Sequence, residues 1–210
     1  VNDVQTGRTQ AEVILGGERT SGLGMEHDRS AEYGDEPQRC EPERGAALRT
    51  CAERESALAA WLLTAAEDRE RARQEWDGHD VALLRCGGAF AAVRVPTTVV
   101  EAAARTNDRR MMGEYLDEAL LGGAAFIDES FCRVYFLVPP SECDRWNVAG
   151  STCLGPDTFL GVPYPGVEHH GRAYWLAEMD GPGALCTPDV VKQLVLNGRH
   201  RLTSLTCSLA

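Results

Sequence analysis

The hydrophobic period of this chain changes along its length, and that change limits the folds open to it. Between Ala46 and Ala66 the residues Leu48, Cys51, Ala52, Leu58, Ala59, Leu62, Ala65 and Ala66 recur at helical spacing and leave Arg49, Glu53 and Arg54 outward. A second, polar helix is predicted from Glu67 to Trp76, braced by Glu67/Arg71 and Arg71/Glu75 one turn apart. Then the period shortens. Val81–Cys86 and Phe90–Val95 are short apolar runs separated by Gly87-Gly88, which predicts two strands paired with each other. Thr98, with Glu101 three residues on, offers a capping box for a helix through Ala104. Asn107 or Asp108 caps another that carries Met111, Met112, Tyr115, Leu116, Ala119 and Leu120 inward and stops at Gly122-Gly123. Further strands are expected at Ala124–Asp128, Cys132–Val138, Thr158–Val162 and Ala173–Met179. Thr187-Pro188 opens a last helix with Val191, Leu194 and Val195 inward and Gly198 at its end. The sum is an α+β fold, a mixed or antiparallel sheet covered by helices.

Charge divides the chain. Residues 1–44 hold ten acids against five arginines and little apolar surface, which predicts a disordered acidic arm ahead of one domain over 45–210. The whole chain of 210 residues carries a formal charge of −11. That argues against a protein whose main task is to neutralise phosphates, and against docking on an anionic membrane. Lys192 is the only lysine, and arginine use this one-sided, with abundant Ala and Gly, reads as the coding bias of a high-GC bacterium. Val1 then reads as an alternative start codon and Met25 as the expected true start. Neither a basic-then-apolar leader in residues 1–24 nor a run approaching the ~20 apolar residues of a membrane span is visible. A cytoplasmic location with no membrane partner is expected.

The eight cysteines, at 40, 51, 86, 132, 143, 153, 186 and 207, include no CxxC pair and no zinc-finger spacing. In a reducing compartment they are expected as free thiols, with Cys86 and Cys132 as small core residues. Glu168-His169-His170 is dense in metal-capable groups, but adjacent strand residues face opposite ways, so an exposed loop is the simpler expectation. The paired glycines lack the GxGxxG or GK[ST] pattern of phosphate loops. No metal and no cofactor is expected.

Five segments carry a family resemblance: Ala82-Leu-Leu-Arg-Cys-Gly-Gly88, Phe90-Ala-Ala-Val-Arg-Val-Pro96, Arg133-Val-Tyr-Phe-Leu-Val-Pro139, Cys153-Leu-Gly-Pro-Asp-Thr-Phe-Leu-Gly-Val-Pro163 and Tyr174-Trp-Leu. Over Leu58–Arg199 the layout resembles the N-terminal domain of bacterial bifunctional DNA primase/polymerases. The resemblance implies a primase-polymerase-like domain with an RRM-like sheet. It also implies, for active members, paired acids that hold two divalent ions on the strand matched by Phe90–Val95. Here that strand reads Ala91, Ala92, Val93, Arg94, and no acid occurs from Val81 to Val100. The nucleotide-contacting His of active relatives falls near Cys153-Leu-Gly155, where no His stands.

The resulting expectation is a catalytically inactive relative that acts as a nucleotide, nucleic-acid or regulatory binding module in DNA replication. Its candidate contacts are Arg85, Arg94 and Arg133 on strands, with Tyr135 and Trp175 as stacking surfaces for bases. Two alternatives remain open at this point. One is an enzyme, either with acids drawn from Asp128, Asp144, Asp157 or Asp180, or with Cys153 as nucleophile and His169 or His170 as base. The other is a protein partner for the acidic arm.

Overall fold

The computed structural model describes residues 51–166 and 171–208. The predicted arm over 1–44 and the Glu168-His169-His170 cluster lie outside them. Helix α1 (Cys51–Leu62) buries Leu58, Ala59 and Leu62 and runs into a 3-10 turn at Leu63–Ala65. Asp68 caps α2 (Arg69–His79): its carboxylate accepts from the backbone N–H of Glu70 and Arg71 at 2.9 and 3.1 Å. The cap sits one residue later than the predicted start, which leaves Glu67 outside the helix. Arg71 still meets Glu75 at 2.9 Å, whereas Glu67 turns to Arg85 at 3.8 Å.

The strands depart from expectation in one pairing and in one added short strand, Thr152–Leu154. Strand β1 (Val81–Arg85) does not pair with β2 (Ala91–Pro96) across Gly87-Gly88. It pairs antiparallel with β6 (Phe159–Pro163), with Leu83 opposite Gly161, as a separate two-stranded ribbon. The burial patterns give the reason. Ala91, Ala92, Val93 and Val95 are all buried, as in an interior strand with cover on both faces, while β1 alternates buried and exposed. The intervening turn, with Gly87 at φ +95° and its N–H on the Phe90 carbonyl at 2.7 Å, carries the chain from ribbon to main sheet.

That main sheet has the order β5-β2-β4-β3-β7, where β3 is Ala125–Asp128, β4 Arg133–Val138, β5 Thr152–Leu154 and β7 Ala173–Ala177. Every neighbouring pair is antiparallel. One face, with Val93, Val95, Ile127, Val134 and Phe136, packs on α3 (Thr97–Ala104), α4 (Arg109–Leu120) and α5 (Pro188–Ser208). The other, with Ala92, Phe126, Leu137 and Trp175, lies under α1, α2 and the β1–β6 ribbon. Burial of each such large side chain contributes about 1.5–3 kcal/mol.

Three helix details differ from the sequence reading. The capping box of α3 does not form: the helix starts at Thr97 behind Pro96, and Glu101 bonds Arg109 instead at 2.8 Å. On α4, Asp108 caps by accepting from Met111 N–H at 2.9 Å, and Met112, Leu116 and Leu120 are buried while Met111 stays exposed. Those three recur every four residues on one stripe; Met111 lies about a quarter-turn away. Gly198 does not end α5. A Cβ there would collide with the Val99 carbonyl of α3, so glycine serves close packing between the two helices. No helix among the described residues is long and apolar enough to cross a membrane.

Candidate functional site

In β2 only Arg94 among Ala91–Val95 is exposed. Strand register places it between Tyr135 of β4 and Thr152 of β5. Residues two apart share a face, so Arg133 joins Tyr135 and Arg94, and Asp128 of β3 stands directly opposite Arg133. One end of the ribbon-side face is therefore polar, beyond the apolar stretch under α1 and α2.

The turn that joins β3 to β4 finishes this end. Asp128 Oδ1 accepts from Ser130 and Phe131 N–H at 2.9 and 3.3 Å, which holds Phe131 out from the fold at 61% exposure. Arg172 approaches Asp128 at 3.9 Å and lies 5.2 Å over the Phe131 ring. Arg133 donates to the Cys132 carbonyl at 3.0 Å. Among the described residues, neither Arg94 nor Arg133 has a carboxylate within ion-pair distance, whereas Arg54, Arg71, Arg73, Arg109 and Arg110 each have one.

A network braces the turn from behind. Arg109 at the start of α4 donates to Glu129 and Glu101, both at 2.8 Å, and Tyr174 OH donates to Glu129 at 2.8 Å. Burial works against both charges, but the mutual hydrogen bonds outweigh it: Glu129 is held below the usual carboxylate range and Arg109 is raised. Burial, then Glu129, pushes the Tyr174 phenol up to about 12.

Of the expected contacts, Arg94, Arg133 and Tyr135 come together and two do not. Arg85 sits on the separate ribbon and is tied to Asp157 at 2.5 Å, at the edge of a cleft formed with Gly87, Gly88 and Pro156. Trp175 is 3% exposed, and its Nε1 donates to the Pro163 and Tyr164 carbonyls at 3.2 Å. Tyr135 is also buried, stacked on Phe126 with ring centres 5.0 Å apart. Burial, then Asp128, raises its phenol, against the opposing pull of Arg94 and Arg133. The stacking role expected of Tyr135 and Trp175 is thus corrected: both rings are core, because the ribbon and α1 cover the face that an open sheet would present. The exposed aromatic at this end is Phe131, which is not among the expected contacts. Its signal was an unsupported large apolar residue inside the polar stretch Asp128-Glu-Ser-Phe-Cys132.

The alternatives fare differently. Asp157 pairs with Arg85, Asp180 packs on the Gly122 turn, and Asp144 stands in the 3-10 turn Pro140–Arg145. Among the described residues no group of three or more His, Cys, Asp or Glu is placed to hold a metal ion. Burial, followed by the adjacent Cys143, raises the Cys153 thiol, the reverse of what activates a nucleophile. No protein-family model, curated protein or solved structure matches this chain.

Proposed function

We propose that this chain is a non-catalytic, primase-polymerase-like binding module that takes the phosphate of a nucleotide or of single-stranded nucleic acid at the polar end of its main sheet. The observation that carries the reading is Arg94: a solvent-facing guanidinium in the middle of an otherwise buried strand, beside Arg133, with no carboxylate partner for either among the described residues. On a chain of net charge −11, two guanidinium groups at the same end of one sheet face, neither in an ion pair, attract an anion locally. Their planar forks suit phosphate oxygens, and each charge-assisted hydrogen bond contributes about 1.5–3 kcal/mol. Phe131 offers a ring on which a base can stack, worth about 1–3 kcal/mol.

Topology supports the family part of the reading. The strands β2, β3, β4 and β5 run in the spatial order fourth, first, third, second, with helices between the first two, which is the split β-α-β order of ferredoxin-like and RRM-like sheets. The position at which the resemblance puts ion-holding acids carries Ala92 and Arg94, side chains that repel or ignore a divalent cation.

A thermal-shift screen of the full chain with nucleoside triphosphates, short single strands, and Mg²⁺ or Mn²⁺ tests this. Nucleotide or single strand should raise the melting temperature without needing a divalent ion, because binding to the native state adds stability by mass action. Primer extension by the purified chain, or a shift with metal alone and none with any phosphate ligand, contradicts it.

A further inference from the structure

Two thiols from different elements meet at the β5 edge of the main sheet. Cys143 lies in the 3-10 turn Pro140–Arg145, and Cys153 lies in the middle of β5 opposite Val93 of β2. Their Sγ atoms are 2.6 Å apart, nine residues separate them in the chain, and both side chains are partly exposed. Neighbours hold the two halves in place. Cys143 fills the space in front of Gly155, where a Cβ would sit 2.8 Å from its sulfur. Lys192 of α5 reaches Glu142 at 3.7 Å and lies 5.8 Å from the Trp146 ring centre, so the turn is fastened on its far side too. Trp146 in turn donates to Ser151 Oγ at 3.0 Å, inside the loop that the two cysteines bracket.

The other described thiols lack this arrangement. Cys86 and Cys186 are buried, and burial pushes both up to about 12. Cys51 and Cys132 are exposed, and their hydrogen bonds run to Glu55 and the Glu129 carbonyl.

We propose that Cys143 and Cys153 form a reversible redox pair that reduces low-molecular-weight disulfides and is itself closed to an intramolecular disulfide. One of the two thiols gives up its proton and its sulfur attacks one sulfur of the small disulfide. A mixed disulfide forms, the small S–S bond breaks, and the first small thiolate leaves and takes a proton. The other cysteine then attacks the Sγ that carries the adduct: the protein S–S bond forms, the mixed bond breaks, and the second small thiolate leaves with the proton of the attacking thiol. Two protein thiols are oxidised and one small disulfide is reduced to two thiols. The closed bond would tie the short edge strand β5, and with it the Thr152 neighbour of Arg94, to the Pro140–Arg145 turn.

Equilibration of the full chain in glutathione buffers of rising oxidised fraction, acid quenching, alkylation and non-reducing tryptic mapping tests this. Cleavage after Arg145 separates the two cysteines, so a crosslinked peptide pair is diagnostic. The expected result is joint loss of the free Cys143 and Cys153 thiols at one midpoint, with the crosslinked pair as product and full recovery on reduction. Cys51 and Cys132 should form mixed disulfides only. Cys153→Ser and Cys143→Ser should each lose the crosslinked pair, and at least one of them should trap glutathione on the cysteine that remains. Recovery of both residues as free thiols or only as glutathione adducts in the wild-type chain would overturn the proposal.

Discussion

The two faces of the main sheet are closed by different means. Toward α3, α4 and α5 the cover is apolar stripe on apolar strand, with Val93, Val95, Ile127, Phe136, Met112, Leu116 and Leu194 in one cluster. Toward α1, α2 and the ribbon the cover depends on indoles that reach across layers: Trp76 Nε1 donates to the Val162 carbonyl at 2.9 Å, and Trp175 Nε1 to Pro163 and Tyr164. Three helices seal their face to its ends. A two-stranded ribbon with two short helices does not, and the sheet end that it leaves uncovered is the one with Arg94, Arg133 and Phe131. Where the cover runs out, the residue types change from apolar to cationic, and the candidate site is that boundary.

Substitutions on the two faces should separate accordingly. Phe136→Ala, in the fully sealed face, should cost about 3–5 kcal/mol in denaturant titration through lost burial and a cavity. Gly198→Ala should cost about 1–3 kcal/mol by forcing α5 off α3, and should leave ligand binding unchanged because the clash lies on the far side of the sheet. Trp76→Phe should cost about 1–2 kcal/mol, one buried indole-to-carbonyl bond with the carbonyl left unpaired, and a loss as large as that of Phe136→Ala would blur the distinction.

Smaller effects sharpen the same contrast. Glu129 has a folded-state pKa below its unfolded value, so its stabilising effect is present above about pH 4.3 and is lost as pH falls through the depressed folded value. Glu129→Gln should therefore flatten the acid limb of a stability-against-pH curve, and an unchanged limb would show that the Arg109 network does not brace the turn. Tyr174 runs the other way: its hydrogen bond to Glu129 is fully present below the unfolded phenol value near ~10 and is lost as pH rises through about 12. Thr97 is 4% exposed and its hydroxyl has no partner among the described residues, so Thr97→Val should be neutral or stabilising by up to about 1 kcal/mol.

Element types were readable wherever the period ran long enough. The α4 stripe through Met112, Leu116 and Leu120, and the pairing of Ala125–Asp128 with Arg133–Val138, follow from local pattern and a short turn. What failed needed partners distant in sequence. Gly87-Gly88 looks like a hairpin turn, yet β1 finds β6 more than seventy residues on, and the three-residue β5 has too little period to announce itself. Gly198 looks like a helix end because its contact with Val99 is invisible to any local window. For the site, Arg94 and Arg133 stood out as charges inside apolar strands. The burial of Tyr135 and Trp175 did not, since it depends on a ribbon whose two strands lie more than seventy residues apart in the chain. The Cys143–Cys153 contact likewise forms only when the turn after β4 folds back on β5.

The most direct test of the account is a fluorescence-anisotropy titration of a labelled short single strand, at several salt concentrations, with the wild-type chain and an Arg94→Ala/Arg133→Ala variant of unchanged melting temperature. Wild-type binding should be measurable and weaken with salt, and the variant should lose at least about tenfold (~1.4 kcal/mol) in affinity and show a shallower salt slope. Equal affinities and equal slopes for the two proteins would place the ligand somewhere other than the end of this sheet.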